Sequence, residues 1–553
     1  MKKIWYSLSI IFLVMGIVAV PFTQWGFIAD DFGFLYHVKN STLLNLFTAH
    51  DVAATFFPSN AGLTCPSWLA AFYRPMQFVY FALEEIFFGI NPYYFLLFMV
   101  LMHALNAAII FNVFASVVGI GAAYCSALLF AFHPSLFKDM GILFNQIYII
   151  DLFCLLLAGI LLWRFMLVKQ WWCYALSCGI FFMQLWAKET LVVLPMWVML
   201  ASFVWQTYEH KSSDFITKIK CAFKFSVGYW FALVTYFGLR WWIFSHVAYV
   251  QPTGSLSSKI ITFVVGQKER FFVWVTYACD VFGISFIFSH GKMIKTGLLI
   301  ALFLLLFKPF VVRQRGLLFL FLIVSMLIFT WPSIFLFHQL RYVYIGLPFL
   351  MFAVAYAVDF YVEKYRTLRI PIAAVFCVLI GVSAGTFACF QKKKETVYHT
   401  ITTAFYELAN DQRCQNKTMI FVALPMRWLS SGVAQAVWLL QGGKKNEVYY
   451  DIVTCLIRQY EGSLPWYGYD YARYDVTTEL IDDALHIISH QPEQLFFAKS
   501  ESEHISMGQR IVHQTNVDGM PCHISLRFDQ QWLMNQTIFV TWDYQKSRFK
   551  IID

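Results

Sequence analysis

Tyr94–Val118 reads YFLLFMVLMHALNAAIIFNVFASVV, without one aspartate, glutamate, lysine or arginine. At 1.5 Å of rise per residue, about 20 such residues cross the roughly 30 Å hydrocarbon core of a bilayer. Lipid offers no hydrogen bonds to a bare backbone, so a run of this kind must be helical. Working outward, apolar runs of comparable length recur at Ile4–Gln24, Ile120–Leu136, Gly141–Phe165, Trp171–Trp186, Leu191–Tyr208, Phe225–Phe244, Thr296–Val312, Leu317–Phe337, Val343–Val362 and Ile370–Phe390. None follows Lys392.

Composition agrees. The 553 residues are 59% apolar and only 13% charged, against about one quarter charged in soluble proteins. A polytopic helical membrane protein is expected, with residues 1–391 as its membrane domain. The net charge of +9 sits mostly in short loops, as lysine and arginine do when they orient a membrane protein. It gives no reason to expect nucleic acid as a partner. Most of the twelve cysteines lie in apolar runs; Cys65, Cys414, Cys455 and Cys522 are the disulfide candidates if their compartment is oxidising.

Lys2 and Lys3 before the first run, with no small-residue cleavage site after it, predict a retained span with a cytoplasmic N-terminus. Residues 25–91 then form a long outer segment, in which Trp68–Phe88 reads as a helix along the membrane surface. Phe271–Ser289 is apolar but has Asp280 at its centre, which is costly in lipid. If it only dips into the outer face, the chain crosses eleven times. Charge counting ties: eleven crossings put Lys308, Arg313, Arg315, Lys364, Arg366 and Arg369 inside, whereas twelve put Lys292, Lys295, Arg341 and Lys392 to Lys394 there.

Residues 392–553 read as a soluble α+β domain. Strands are expected at Met419–Leu424, Gln494–Ala498 and Thr537–Trp542, helices at Ser430–Leu440 and Thr478–Ser489. A terminal hairpin is expected from Ile538–Thr541 and Phe549–Ile552.

The sharpest chemical signal is Asp30-Asp31, just past the first span. Adjacent carboxylates among apolar residues repel, so one takes up a proton more readily or a cation sits nearby. Such a group can act as a general base; two solvated acids ending a helix is the plain alternative. Arg74, in Tyr73-Arg74-Pro75, is suited to bidentate phosphate contact or to snorkelling. His103 and Asn106 share a helix face, the usual arrangement for an interhelical hydrogen bond. His133-Pro134, Asn145, Asp151, Lys188-Glu189, His338 and Arg341-Tyr342 fall near the outer ends of later spans, with Asp151 deeper. Ionisable groups so placed mark functional sites by default; for Lys188 and Glu189 the plain alternative is that they do no more than pair with each other.

Taken in order, Asp30-Asp31, Tyr73-Arg74-Pro75, Gly89-x-Asn91-Pro92, His103-x-x-Asn106, His133-Pro134, Lys188-Glu189 with Pro195, and Arg341-Tyr342 resemble the GT-C superfamily of membrane glycosyltransferases. The resemblance is strongest to the protein O-mannosyltransferase-like branch with the transmembrane and TPR-containing O-mannosyltransferases, and covers roughly residues 1–390. It implies a GT-C-like fold of about eleven spans with an outer active site, which brings Arg341 to the side of Asp30. It also implies an inverting transfer of one sugar from a polyprenyl-phosphate donor to an acceptor hydroxyl on a protein, lipid or glycan. Asp30 is then the catalytic base, and Asp31 its neighbour or a ligand to a divalent cation. Arg74, His103, Lys188, Glu189 and Arg341 bind substrate or lipid phosphate. A bacterial inner membrane with the C-terminal domain in the periplasm is the implied location, an ER membrane the alternative. Two departures are Lys138-Asp139 where that branch has Glu, and Asn145-Gln146-Ile147-Tyr148 where it has Gly-Arg-x-Asp. The competing readings are a ligase using a diphosphate-lipid glycan, a transporter or flippase, and a receptor. A transporter predicts matching halves and broken helices, and the sequence has no matching halves.

Overall fold

The computed structural model describes residues 2–27, 31, 34–35, 38–39, 74–133, 145–209, 214–245, 292–335, 343–414, 418–421, 448–449, 476–481, 484–489, 502–507, 510–516, 523–527, 537–543 and 548–552. Each apolar run identified above as a span carries a helix among them. These are α1 (Lys2–Val18), α3 (Pro92–Phe114), α4 (Ile120–Ala131), α5 (Gln146–Val168), α6 (Trp171–Leu185), α7 (Leu194–Glu209), α8 (Phe215–Ser245), α9 (Lys292–Val312), α10 (Gly316–Phe335), α11 (Val343–Lys364) and α12 (Arg369–Asn410). A further helix, α2 (Pro75–Phe88), falls in the long first loop, and a 3₁₀ turn, Glu189–Val193, leads into α7. Among the described residues five helices are long and apolar enough to cross a membrane: Pro92–Phe114, Gln146–Val168, Glu189–Glu209, Val343–Lys364 and Arg366–Asn410. The chain is a mostly helical integral membrane protein. Phe271–Ser289 lies outside the described residues.

The chain divides into two compact units, residues 1–23 with 93–393, and residues 24–92 with 394–553. In the first, α11 is the central helix: it packs against α4, α5, α9 and α10, and 72% of its most apolar window is buried. Gly346 permits the approach of α10, because a Cβ there would lie 2.7 Å from the Thr330 methyl carbon and 3.0 Å from the Met326 carbonyl oxygen. The apolar part of α12 is by contrast only 17% buried.

In the second unit the residues just after α1 pack on the polar continuation of α12. The Gln24 backbone N–H donates to Glu395 Oε1 at 2.9 Å, and Thr402 Oγ1 donates to the Phe27 carbonyl at 3.1 Å. Trp25 meets Tyr398 edge to face with ring centroids 5.4 Å apart. Gly26 lies directly on the Tyr398 carbonyl, where any Cβ would collide. Phe34 packs on Phe78 and Phe81 of α2 at 5.4 and 5.1 Å.

Two sheets follow. The first is mixed, in the order β2 (Val448–Tyr449), β1 (Thr418–Phe421), β8 (Thr537–Asp543), β9 (Arg548–Ile552). Its β8–β9 pair is the expected terminal hairpin, with Thr541 opposite Lys550. The second is antiparallel, in the order β3 (Val476–Ile481), β4 (Ala484–Ser489), β7 (His523–Arg527), β6 (Arg510–Asn516), β5 (Ser502–Met507). Here the structure corrects the expected helix at Thr478–Ser489, which is a hairpin pairing Thr478 with Ile487 and Leu480 with Leu485. Its apolar residues fit a helical period and also the alternation of two paired strands. Pairing of β4 with β7 decides for the hairpin. Ser430–Leu440 and Gln494–Ala498 lie outside the described residues, as do Cys65, Cys455 and Cys522; Cys414 is buried.

Candidate functional site

In the first unit, charged and polar side chains gather where α6 and α8 finish and α5 begins. Three consecutive residues of the turn between α6 and α7 are each held by another helix. Lys188, 5% exposed, places its Nζ 3.6 Å from the centre of the Tyr148 ring on α5. Glu189 Oε1 accepts from Arg240 Nη1 of α8 at 2.7 Å, and Arg240 also donates to the Tyr236 hydroxyl one turn earlier. Thr190 Oγ1 donates to one oxygen of Asp151, and Gln184 Nε2 to the other. Asp151 has no exposed surface, so the two donors offset part of the cost of withdrawing a carboxylate from water.

The local sequence explains the turn. Lys188 is extended (φ −163°, ψ 144°), its N–H donating to the Gln184 carbonyl at 3.0 Å. A 3₁₀ turn then runs into α7, with Pro195 in its first turn, where a proline removes no helical hydrogen bond. Chemically, the cluster offers two fixed cations at the end of an apolar bundle. They are unlike in kind: Lys188 is a point charge on a flexible stem, Arg240 a planar fork already engaged by a carboxylate.

His103 occupies a different place. Its ring is fully buried, Nε2 lies 2.9 Å from the Ala131 carbonyl of α4 and Nδ1 2.7 Å from the Tyr344 hydroxyl of α11. A carbonyl can only accept, so Nε2 carries the proton and Tyr344 donates to Nδ1. Asn106 Nδ2 donates to the Ile149 carbonyl of α5 at 2.8 Å and to Tyr344 at 3.2 Å. His103 and Asn106 therefore tie four helices together, and both ring nitrogens are occupied.

Asp31 and Arg74 belong to the second unit. Asp31 is helical and completely buried. Arg74 is partly exposed and immediately precedes α2, with Pro75 at its first position and the Gln77 N–H bonded to the Arg74 carbonyl at 3.0 Å. A guanidinium next to the positive end of a helix favours an anion. Asp30 and Arg341 lie outside the described residues, as do His338 and Lys138-Asp139. Among the described residues no group of three or more His, Cys, Asp or Glu side chains is arranged to hold a metal ion.

The sequence reading singled out Lys188, Glu189 and Asp151 but not Arg240, Tyr236 or Tyr148. The signal for Arg240 was available: it is the sole charge in the run Phe225–Phe244.

No protein-family model matches the chain, and neither does any curated protein. Among solved structures it is similar to the oligosaccharyltransferase of Archaeoglobus fulgidus. One such structure, tethered to an acceptor peptide containing the NVT sequon, matches at 12% identity and a TM-score of 0.43. Another, named AglB and in complex with an inhibitory peptide and a dolichol-phosphate, matches at 12% identity and a TM-score of 0.44, over 79% of this chain and 64% of that one. The chain spans 63% of the length of the first of these. A likeness at that level says nothing about this chain's reaction.

Proposed function

We propose that the chain is an inverting glycosyltransferase of the GT-C type. It moves a sugar from a polyprenyl-phosphate donor to an acceptor hydroxyl at the non-cytoplasmic face of the membrane. The observation that carries the reading is the pair of cations at the end of an apolar bundle, Lys188 over Tyr148 and Arg240 on Glu189. Charges are costly beside lipid and are kept there for a use. An anion that arrives within the bilayer, such as a lipid phosphate, is the ligand such a site suits.

In the reaction the acceptor oxygen bonds to the anomeric carbon from the face opposite the phosphate. Its proton passes to Asp30, the bond from that carbon to the phosphate oxygen breaks, and the electron pair stays on the lipid phosphate. Lys188, with Arg74 and Arg341, offsets that charge as it develops. A base catalyses best when its pKa lies near the working pH.

Chain continuity supports the sidedness. Gln24–Phe27, a few residues beyond α1, pack on Glu395–Thr402, a few residues beyond the apolar part of α12. Both helix ends then lie on one side of the membrane, which requires an even number of crossings between them. The ten helices α3 to α12 are an even number. With α1 this reading counts eleven crossings and has Lys188, Arg240 and the C-terminal domain outside; in a bacterial inner membrane that side is the periplasm.

The test supplies membranes holding the protein with labelled polyprenyl-monophosphate sugar, a diphosphate-linked glycan and a nucleotide sugar in separate reactions. Label is expected to leave the monophosphate donor. Transfer from the diphosphate lipid alone would make the chain a glycan ligase, and transfer from none would overturn the reading.

A further inference from the structure

We infer that the end of the bundle where α9 runs into α10 and α11 into α12 binds the headgroup of an anionic phospholipid, apart from any lipid that donates a sugar. Three short connections meet there. Residues 313–315 join α9 to α10, residues 365–368 join α11 to α12, and Gly119 lies in the connection from α3 to α4. Asp359 of α11 ties them together: one oxygen accepts the Gly119 N–H at 2.9 Å, and the other lies 3.6 Å from Arg313 Nη1. Arg313 also donates to Glu363, so one arginine engages both carboxylates.

At the same end Arg315, Lys364, Arg366 and Arg369 are exposed, and among the described residues none of the four makes an ion pair. Aromatic rings gather two of them beside Arg313. Arg313 and Arg315 both lie over Tyr356, at 5.1 and 5.9 Å, while Lys364 Nζ is 5.7 Å from the centre of Phe360, the ring that Arg313 meets at 5.4 Å. A ring face attracts a cation without neutralising it, so the positive charge stays concentrated.

Lysines and arginines that merely orient a membrane protein need only water around them. Here the neighbours favour a lipid over a soluble anion. Val312, directly before Arg313, is 53% exposed, and Ile370, directly after Arg369, is 80% exposed. Both belong to apolar helices, and the apolar part of α12 is little buried. A phosphate on these cations therefore has bare hydrocarbon surface beside it for its acyl chains, at the depth where headgroups lie. The inference requires that these helices span a membrane and does not depend on the proposed reaction.

The test uses the purified full chain in neutral detergent with phosphatidylglycerol that carries a photoreactive group in one acyl chain. Crosslinks are expected in the peptides around residues 305–315 and 365–375, displaced by unlabelled phosphatidylglycerol but not by equal phosphatidylcholine or a large excess of inorganic phosphate. Replacing Arg315, Lys364 and Arg366 together with Gln is expected to weaken binding about tenfold or more, the scale of several surface cations. Arg366→Gln with Arg369→Gln, both in exposed positions, serves with the same direction expected if the triple variant fails to insert. Replacing Lys218, Lys220 and Lys224 of α8 with Gln removes as much charge elsewhere and leaves binding within about twofold of the wild type. Equal displacement by phosphatidylcholine, displacement by inorganic phosphate, or an equal loss in the α8 variant would each overturn the inference.

Discussion

Tyr344 shows how a single hydroxyl can serve two side chains of a neighbouring helix. It donates to His103 and accepts from Asn106, both on α3, and it is itself buried. Tyr344→Phe leaves an imidazole nitrogen and an amide N–H short of a partner in the dry interior, a loss of about 1–3 kcal/mol. The detergent-solubilised protein is expected to melt several degrees lower, and an unchanged melting temperature would contradict the network. Legibility at this scale follows sequence distance. Lys188-Glu189 stood out because two opposite charges are adjacent in an apolar context. Arg240 did not, because one arginine toward the end of an apolar helix also fits snorkelling, and its partner is 51 positions away in the chain. Asp31 was legible as a chemical oddity, but its complete burial is a property of packing.

The helices were readable because lipid imposes one rule on every span, and the length of each apolar run expresses it directly. Their ends were less so: α12 continues through polar residues to Asn410, because nothing in Gln391–Asn410 breaks a helix once the apolar part has formed. At 1.5 Å per residue its 42 residues reach about 63 Å, roughly twice the hydrocarbon thickness. Residues 478–489 were misread because a soluble strand obeys no such rule and its partner β7 is distant in sequence. The element that tests the topology is α12. A reporter fused after Asp553 is expected to be active only outside the cytoplasm, while one fused at Lys211, between α7 and α8, should report a cytoplasmic position. A cytoplasmic C-terminus would contradict eleven crossings.

At the scale of the molecule, the segments outside the apolar helices are not independent appendages. Residues 24–92 and 394–553 form one unit, joined where Gly26 and its neighbours lie on α12. The sequence separates these two stretches by the entire set of later spans, and only the fold brings them together. Asp31, in the same unit, is wholly buried. The most direct measurement of the central claim compares wild type with Asp30→Asn for transfer from a labelled polyprenyl-phosphate sugar in membranes, normalised to inserted protein. Loss of a general base predicts a fall in turnover of about 100-fold or more. Transfer at the wild-type rate would take Asp30, and with it the proposed chemistry, out of the account.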